Sequence, residues 1–290
     1  NAPIVERGIP YGSGGDKPLL LDILRPDSYP SVVRPLVIWV HGGGWEAGSR
    51  DDPPGRELLD RGFAAASISY RFSDESPFPA QIHDVKAAIR FLRANAGRFN
   101  IDPDRIGIWG HSAGGHLASL AGMTGDLAEL EGEGGSPGVS SAVQAVVPLA
   151  GPADFSGTRT DDPAFFGDDI PAQRMLGKQR HEPRRKQSHE PTVADEAFLR
   201  RAALASPALH AHEGAPPYLI VHGTVDPVVT PGESRRLAEA VTAAGGQATL
   251  LEATGIDHDL RALLAFADER GVTVMRHIVA FFERHLGPLP

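Results

Sequence analysis

The chain has 290 residues, of which 41% are hydrophobic and 22% charged, and it contains no cysteine. This composition is that of an ordinary soluble globular protein, and the length fits one large domain over residues 1–290. The formal net charge of −9 repels polyanions, so nucleic acid and anionic membranes are not expected as partners. Without cysteine, the chain has no disulfide, no thiolate metal site and no cysteine nucleophile.

The sequence leaves the cellular compartment open. It has no run of about 18 apolar residues, which a transmembrane helix requires. The first residue is Asn1 rather than Met, as cleavage of a signal peptide would leave it. A chain without cysteine fits both reducing and oxidising surroundings. Cytoplasmic and secreted locations both stay open, and so does the formation of a homo-oligomer.

Apolar runs alternate with segments of helical periodicity, which predicts an α/β fold with a largely parallel sheet. The predicted strands cover residues 19–24, 35–40, 63–70, 106–109, 143–149, 218–221 and 249–252. The predicted helices cover 79–98, with a stop signal at 95–97, then 114–122 and about 268–285. Because PLVIWV at 35–40 is apolar at nearly every position, we expect it to be a central strand buried on both faces.

The most informative motif is GHSAG at residues 110–114, directly after an apolar run. A Gly-x-Ser-x-Gly that ends a strand and begins a helix forms a turn so tight that the serine hydroxyl is exposed at its apex. Glycine is needed at the flanking positions because a Cβ there would clash. The motif therefore predicts that Ser112 is a catalytic nucleophile.

A serine hydroxyl is a poor nucleophile at pH 7 unless a histidine accepts its proton. Among the 12 histidines, His258 follows the last predicted strand, where a loop can bring its ring over the carboxyl edge of the sheet. The main rival is His222, which ends the preceding strand. Because its backbone turns directly into Gly223, we favour a structural role for His222 and assign His258 as the base.

The carboxylate that orients the base is assigned to Asp226, in the sequence HGTVDP at 222–227. The alternative is a turn aspartate that caps the next helix, since Asp-Pro favours turns by itself. Asp257 and Asp259 adjoin His258 in sequence, which places them badly for a bond to its ring. We therefore expect an order of Ser, Asp and His along the chain, as serine hydrolases with this turn have it.

Acyl transfer passes through a tetrahedral oxyanion, which preset hydrogen-bond donors stabilise. The sequence HGGGW at 41–45 offers the backbone N–H groups of Gly43 and Gly44, and Ala113 follows the nucleophile at a helix N-terminus. Trp45 either packs beneath this loop or forms a pocket wall, and His111 is the second candidate for the substrate pocket. The histidines and acidic residues show no metal-ligand spacing, so no metal is expected.

Residues 151–207 interrupt the alternation of strands and helices and form a candidate cap or lid within the domain. This insertion carries a basic cluster made of Arg174, Lys178, Arg180, Arg184, Arg185 and Lys186. The plainer interpretation of the cluster is a solvated loop. The functional interpretation is a lid that shapes the acyl pocket.

With these residues in place, the chain resembles the α/β-hydrolase esterases of the hormone-sensitive-lipase-like and feruloyl/acetyl-esterase-like group. The resemblance rests on the motifs at 41–45 and 110–114, SYRFS at 69–73, GPADF at 151–155 and PPYLIVHGTVDPVV at 216–229. It implies a mostly parallel eight-stranded sheet flanked by helices, with a cap of variable size. It also implies nucleophile Ser112, acid Asp226, base His258, the three oxyanion donors already named, and neither cofactor nor metal.

These observations predict a serine carboxylesterase whose partner is a small-molecule ester. Short acyl groups are expected, because the basic, proline-rich centre of the insertion lacks the amphipathic stripe that an interfacial lid needs. The closest alternative is amide hydrolysis of the N-formylkynurenine formamidase type. A second alternative, from another class, is a non-catalytic ligand-binding member of the fold, which an intact serine, histidine and aspartate set disfavours.

Overall fold

A computed structural model of the chain describes residues 3–26, 32–156, 171–177 and 193–287, without the side chains of 193–195. Most of the predicted basic cluster therefore lies outside the described residues, namely Lys178, Arg180, Arg184, Arg185 and Lys186. The centre of the insertion at 151–207 also lies outside them. Its assignment as a cap within one domain of residues 1–290 stays a prediction.

Eight strands of the described residues form one sheet. They are β1 (Ile4–Gly14), β2 (Lys17–Arg25), β3 (Arg34–Val40), β4 (Ala64–Ile68), β5 (Ile101–His111), β6 (Ala145–Leu149), β7 (Tyr218–Gly223) and β8 (Ala248–Ala253). Their order is β1-β2-β4-β3-β5-β6-β7-β8. The β1–β2 and β2–β4 pairs are antiparallel, and the remaining pairs are parallel. The predicted α/β fold with a mostly parallel eight-stranded sheet is confirmed.

Helices cover both faces of the sheet. The α-helices of the described residues are α1 (Arg56–Asp60), α2 (Ala80–Ala94), α3 (Ala96–Phe99), α4 (Ala113–Met123), α5 (Ala128–Glu131), α6 (Pro171–Met175), α7 (Val193–Leu204), α8 (Pro231–Ala243), α9 (Leu260–Ala265) and α10 (Val274–Leu286). Helices α2, α4 and α8 share one hydrophobic core with one face of the sheet. Helices α1, α9 and α10 share the core on the opposite face.

Strand β3 lies at the centre of the sheet, and all seven of its residues are buried. In its register, Ile38 lies opposite Ala66 of β4 and Ile108 of β5. A parallel strand covered by helices on both faces has no solvent side, which explains why its sequence is apolar without alternation. This central position brings the carboxyl ends of β3 and β5 together at one edge of the sheet.

Strand β1 was not predicted, and its position explains why. It is an edge strand, and Ile4 at its start is 43% exposed. Its pairing with β2 shifts register between Glu6 and Ile9, around Gly8 at φ 65°. Because such bulges interrupt the two-residue alternation of buried side chains, the strand carries no clear periodic signal.

Two predicted helices have different ends in the structure. The helix predicted over 79–98 ends at Ala94, where the Asn95 side chain donates to the carbonyl of Phe91 at 2.8 Å, and α3 follows separately. The C-terminal helix, predicted from about 268, begins at Val274. Thr273 caps it by accepting from the N–H of Arg276 at 3.3 Å, so the residues before Thr273 form a turn instead.

Candidate active site

Ser112 lies in the turn between β5 and α4, at φ 56° and ψ −120°. A non-glycine residue at positive φ is strained by roughly 1–3 kcal/mol, and the surroundings hold it there. Its N–H donates to the carbonyl of Leu149 at 2.8 Å. A Cβ on Gly114 would clash with the carbonyl oxygen of Val40, and one on Gly110 would lie 2.5 Å from the carbonyl oxygen of Gly114. The strand, turn and helix expected for the motif at 110–114 are present.

His258 and Asp226 reach Ser112 from the loops after β8 and β7. Nε2 of His258 lies 2.9 Å from Oγ of Ser112, although 146 positions separate the two residues. Nδ1 of His258 lies 2.6 Å from Oδ2 of Asp226. Parallel strands place their carboxyl ends at one edge of the sheet, so the three loops meet there. In this line the hydroxyl donates to Nε2, and Nδ1–H donates to the carboxylate.

The neighbouring aspartates of His258 serve the local backbone. Asp259 is the N-cap of α9, and its Oδ1 accepts from the N–H of Ala262 at 2.7 Å. Asp257 accepts from the N–H of Asp259 at 3.0 Å. Both side chains are exposed, and neither takes the place beside Nδ1 that Asp226 has.

The carboxylate of Asp226 is buried and accepts several hydrogen bonds. Its Oδ1 accepts from the N–H groups of Val228 and Val229, at 2.8 and 2.9 Å. Its Oδ2 faces Nδ1 of His258 and, at 3.2 Å, Nε2 of His222. Burial by itself would raise the pKa of Asp226, but the hydrogen bonds outweigh it and hold the pKa well below its ordinary value. The group is therefore a carboxylate at neutral pH.

His222, considered above as the rival base, is fully buried with both ring nitrogens bonded. Nδ1 lies 2.6 Å from Oγ of Ser234, and Nε2 lies 2.9 Å from the carbonyl oxygen of Val229. Because Nε2 faces this carbonyl and the carboxylate of Asp226, it must carry the proton, and Nδ1 accepts from the Ser234 hydroxyl. The sequence reasoning missed this contact with Asp226. The sequence signal for this contact is weak: His222 ends a strand and lies four positions before Asp226.

The oxyanion-donor candidates lie in a glycine turn next to Ser112. Gly43 and Gly44 have φ of 112° and 60°, and a Cβ on Gly42 would lie 3.3 Å from Cβ of Ser112. Within the described part of the chain, the N–H groups of Gly43 and Gly44 donate to no protein acceptor. Ala113 is the first residue of α4, so its N–H is outside the hydrogen-bond ladder of the helix. With respect to the residues that the structure describes, all three groups can donate to a ligand.

The two substrate-pocket candidates contact protein groups. Trp45 is 3% exposed, and its Nε1–H donates to Nδ1 of His116 at 3.1 Å. A side chain this buried favours packing beneath the glycine turn over a pocket wall. The ring of His111 lies 4.7 Å from the ring of His258, measured between centroids. Burial, followed by the nearby His258, lowers the pKa of His111 to about 4, so this ring is neutral at pH 7.

Arg174 is the one member of the basic cluster that falls within the described residues. It does not lie in a solvated loop as the plainer interpretation expected. Its guanidinium pairs with the carboxylate of Glu46, directly after the glycine turn, and its side chain is 16% exposed. Among the described residues, no group of three histidine, aspartate or glutamate side chains could hold a metal ion. None of the described helices is long and apolar enough to cross a membrane.

Comparisons with known proteins place this arrangement in a family. The sequence profile of the BD-FAE family matches residues 21–241. Esterase LipQ and esterase LipC of Mycobacterium tuberculosis are 34% and 33% identical to the chain, over 82% and 84% of its length. The matched parts are 52% and 58% of those proteins, so the chain spans about half the length of these curated relatives.

Solved structures give the same result for the fold. A truncated carbohydrate esterase from gut microbiota is 30% identical, with a TM-score of 0.79, and the match covers 98% of this chain and 96% of that structure. Esterase 2 of Thermogutta terrifontis, with propionate bound, is 26% identical, with a TM-score of 0.73 and coverage of 98% and 95%. The resemblance to hormone-sensitive-lipase-like esterases is confirmed: the chain belongs to the BD-FAE family and has the α/β-hydrolase fold.

Proposed function

We propose that the chain is a serine carboxylesterase that hydrolyses short-acyl esters through Ser112, His258 and Asp226. The observation that carries the proposal is the continuous hydrogen-bonded line from Oγ of Ser112 through the imidazole of His258 to the carboxylate of Asp226. A base within hydrogen-bond reach of the nucleophile, itself oriented by a carboxylate, is the arrangement that activates a serine hydroxyl.

In the first half of the reaction, Oγ of Ser112 attacks the ester carbonyl carbon while Nε2 of His258 takes the hydroxyl proton. The carbonyl oxygen becomes an oxyanion next to the glycine turn. When the tetrahedral intermediate collapses, the bond to the alcohol oxygen breaks, and His258 gives its proton to the leaving alcohol. An acyl group then remains on Ser112.

In the second half, a water molecule attacks the acyl carbon and His258 takes its proton. Collapse of the second intermediate releases the carboxylic acid and returns the proton to Oγ. The buried carboxylate of Asp226 stabilises the imidazolium in both halves, because its low pKa keeps it negatively charged. Donors preset for the oxyanion are usually the largest catalytic contribution, and loss of one costs about 3–4 kcal/mol.

The relatives support an ester as the substrate. The names of esterase LipQ, esterase LipC and the carbohydrate esterase from gut microbiota describe them as enzymes that act on esters. Esterase 2 of Thermogutta terrifontis has been solved with bound propionate, a three-carbon acid that supports the choice of short acyl groups. The partner of this chain is accordingly a small-molecule ester, and the chemistry needs neither a metal nor a cofactor.

The described ends of the insertion also support short acyl groups. Helix α7 directs Ala202 fully into the core, and Phe198 and Leu204 pack partly buried against it. Among the side chains of this helix that the structure describes, Leu199 is the large apolar one left exposed. A helix whose described large apolar side chains mainly pack against the core has no continuous apolar stripe there to offer to a lipid surface.

The test is a panel of p-nitrophenyl esters from acetyl to palmitoyl, with an aryl formamide and a p-nitroanilide as amide substrates. The control is the Ser112→Ala variant, purified in the same way. We expect the highest kcat/KM on acetyl to butyryl esters and no activity in the control. A preference for the amides would favour the formamidase alternative. Binding of esters without turnover by the wild-type chain would favour the ligand-binding alternative.

A further inference from the structure

Part of the insertion lies against the glycine turn that would bind the oxyanion. This part is residues 171–177, here called the clip, and it contains α6. A Cβ on Gly44 would lie 3.3 Å from Cβ of Pro171, so the first clip residue adjoins one of the donor glycines. Ala172, Met175 and Leu176 of the clip are buried.

The clip is anchored to the body of the protein at its far end. The carbonyl of Met175 accepts from the N–H of Phe78 at 2.8 Å, just before α2. The carbonyl of Leu176 accepts from Nε of Arg201 in α7, also at 2.8 Å. With these backbone bonds and its buried side chains, the clip has a fixed position relative to the sheet.

An ion pair between Arg174 and Glu46 joins the clip to the glycine turn. Nε of Arg174 donates to Oε1 of Glu46, and Nη2 of Arg174 donates to Oε2 at 2.7 Å. The guanidinium thus binds both carboxylate oxygens side by side, a geometry that fixes orientation as well as distance. The pair is largely shielded, since the two side chains are 16% and 25% exposed.

Glu46 transmits this restraint to the turn through its backbone. Its N–H donates to the carbonyl of Gly43 at 3.1 Å, and the N–H of Ala47 donates to the same carbonyl at 3.0 Å. Gly43, Gly44 and Trp45 are three consecutive residues at positive φ. A turn with this backbone is held by its surroundings, because its own conformation is unfavourable for Trp45 and entropically costly for the glycines.

We propose that Arg174 and Glu46 are positioning residues: their ion pair fastens the glycine turn to the clip and so holds the N–H groups of Gly43 and Gly44 where the oxyanion forms. This inference rests on the proposed esterase function. It gives the basic cluster a function at one position, Arg174. A displacement of the donors by a fraction of an ångström weakens bonds that form only in the transition state, so kcat is the parameter that depends on the pair.

The experiment compares Arg174→Met, Glu46→Gln and the double variant with wild type on p-nitrophenyl acetate. Arg174→Lys is a milder variant that keeps the charge but loses the two-point geometry. The matched control is Arg200→Met, which removes an exposed arginine from its ion pair with Glu129, 2.5 Å away on the surface. A second readout is the inhibition constant of a trifluoromethyl ketone, whose adduct with a serine places an oxyanion at the same donors.

We expect kcat to fall ~10–100-fold in Arg174→Met and Glu46→Gln, with KM nearly unchanged. The double variant should lose less kcat than the product of the two single losses, because the loss of the Arg174–Glu46 pair is common to both. Arg174→Lys should lie between Arg174→Met and wild type, and the inhibition constant should rise in parallel with the loss of kcat.

Two results would overturn the proposal. One is a kcat in Arg174→Met equal to that of the Arg200→Met control. The other is a fall of kcat in Arg174→Met or Arg174→Lys while the trifluoromethyl ketone binds as tightly as in wild type. Failure of the proposed function itself is a separate outcome, because wild type would then not hydrolyse the ester.

Discussion

The carboxylate of Asp226 lies 3.2 Å from Nε2 of His222, so two histidines share one of its oxygens. On the other side of His222, the Ser234 hydroxyl lies 2.6 Å from Nδ1. The carboxylate of the proposed triad is therefore fixed by His222, which is itself fixed by the Ser234 hydroxyl. This arrangement explains how a carboxylate can stay ionised and fixed in direction although its side chain is inaccessible to solvent.

A first prediction follows for Asp226. The variant Asp226→Asn should lose about 10³–10⁴-fold in kcat with little change in KM, because the imidazolium of His258 loses its counter-charge and the neutral ring its preferred tautomer. The matched control is Asp257→Asn, an exposed neighbour of His258 in sequence, which should remain near wild type. Steady-state kinetics on p-nitrophenyl acetate decide the assignment. A larger loss of kcat in Asp257→Asn than in Asp226→Asn would show that Asp226 is not the carboxylate that orients His258.

A second prediction concerns His222. His222→Phe removes the Nε2–H donor behind Asp226 but keeps a ring, whereas the amide of His222→Gln restores a donor. Since a hydrogen bond to a charged group contributes about 1.5–3 kcal/mol, kcat should fall about 10–100-fold in His222→Phe and less in His222→Gln. Both variants need melting curves to show that they fold. If the folded His222→Phe and His222→Gln variants had the same kcat, a donor at this position would not matter, and the role of His222 would be packing alone.

A third prediction concerns acid stability and His116. This ring is fully buried: Nδ1 accepts from Trp45, and Nε2 donates to the carbonyl of Ala205 at 2.7 Å. Burial lowers its pKa to about 4, whereas the unfolded value is about 6.5. As the pH falls, His116 is therefore protonated in the unfolded chain before it is protonated in the folded one. The free energy of unfolding is highest above about pH 6.5 and decreases as the pH falls toward 4. The contribution of this residue is up to about 1.4 kcal/mol per pH unit.

The variant His116→Gln tests this linkage, because a glutamine amide can both accept from Trp45 and donate to Ala205 without titrating. Urea unfolding at pH 7, 6 and 5 should give a smaller loss of unfolding free energy in the variant than in wild type. A part of the slope should persist, since burial also lowers the pKa of His111 and His41. If the free energy of unfolding fell equally with pH in both proteins, the pH dependence could not be assigned to His116.

A fourth prediction concerns the physical state of the substrate. With tributyrin as substrate, the rate should saturate hyperbolically below the solubility limit and should not rise when an emulsion forms. The reason is that the described part of the insertion offers no apolar stripe to an interface. A sharp increase in rate at the solubility limit, or a preference for palmitoyl over butyryl esters, would contradict the short-acyl proposal.

The strongest sequence predictions rested on local geometry that allows few residue types. The turn around Ser112 requires glycine at positions 110 and 114, where any side chain would meet backbone, so the motif could be read directly. Strand β3 was predictable because burial on both faces demands apolar residues throughout. The meeting of Ser112, His258 and Asp226 followed from the rule that parallel strands end at one edge of the sheet.

Other features depend on contacts between distant segments, which single-sequence patterns do not carry. Arg174 and Glu46 are 128 positions apart, and a cluster of basic residues is usually solvated. The bond between Asp226 and His222 depends on how the loop after β7 folds back over the end of its own strand. The edge strand β1 has bulges in place of alternation. In each case, packing decided the structure and local composition did not.

The central claim is that Ser112 is the nucleophile, and covalent labelling with paraoxon tests it most directly. A structure of esterase 2 of Thermogutta terrifontis, 25% identical to this chain, is phosphorylated by that reagent. We expect one diethylphosphoryl group per chain, located by peptide mass spectrometry on Ser112, with complete loss of ester hydrolysis. Ser112→Ala should be unlabelled and inactive, with an unchanged melting temperature. A label on any other residue, or ester hydrolysis by Ser112→Ala at the wild-type rate, would contradict the account.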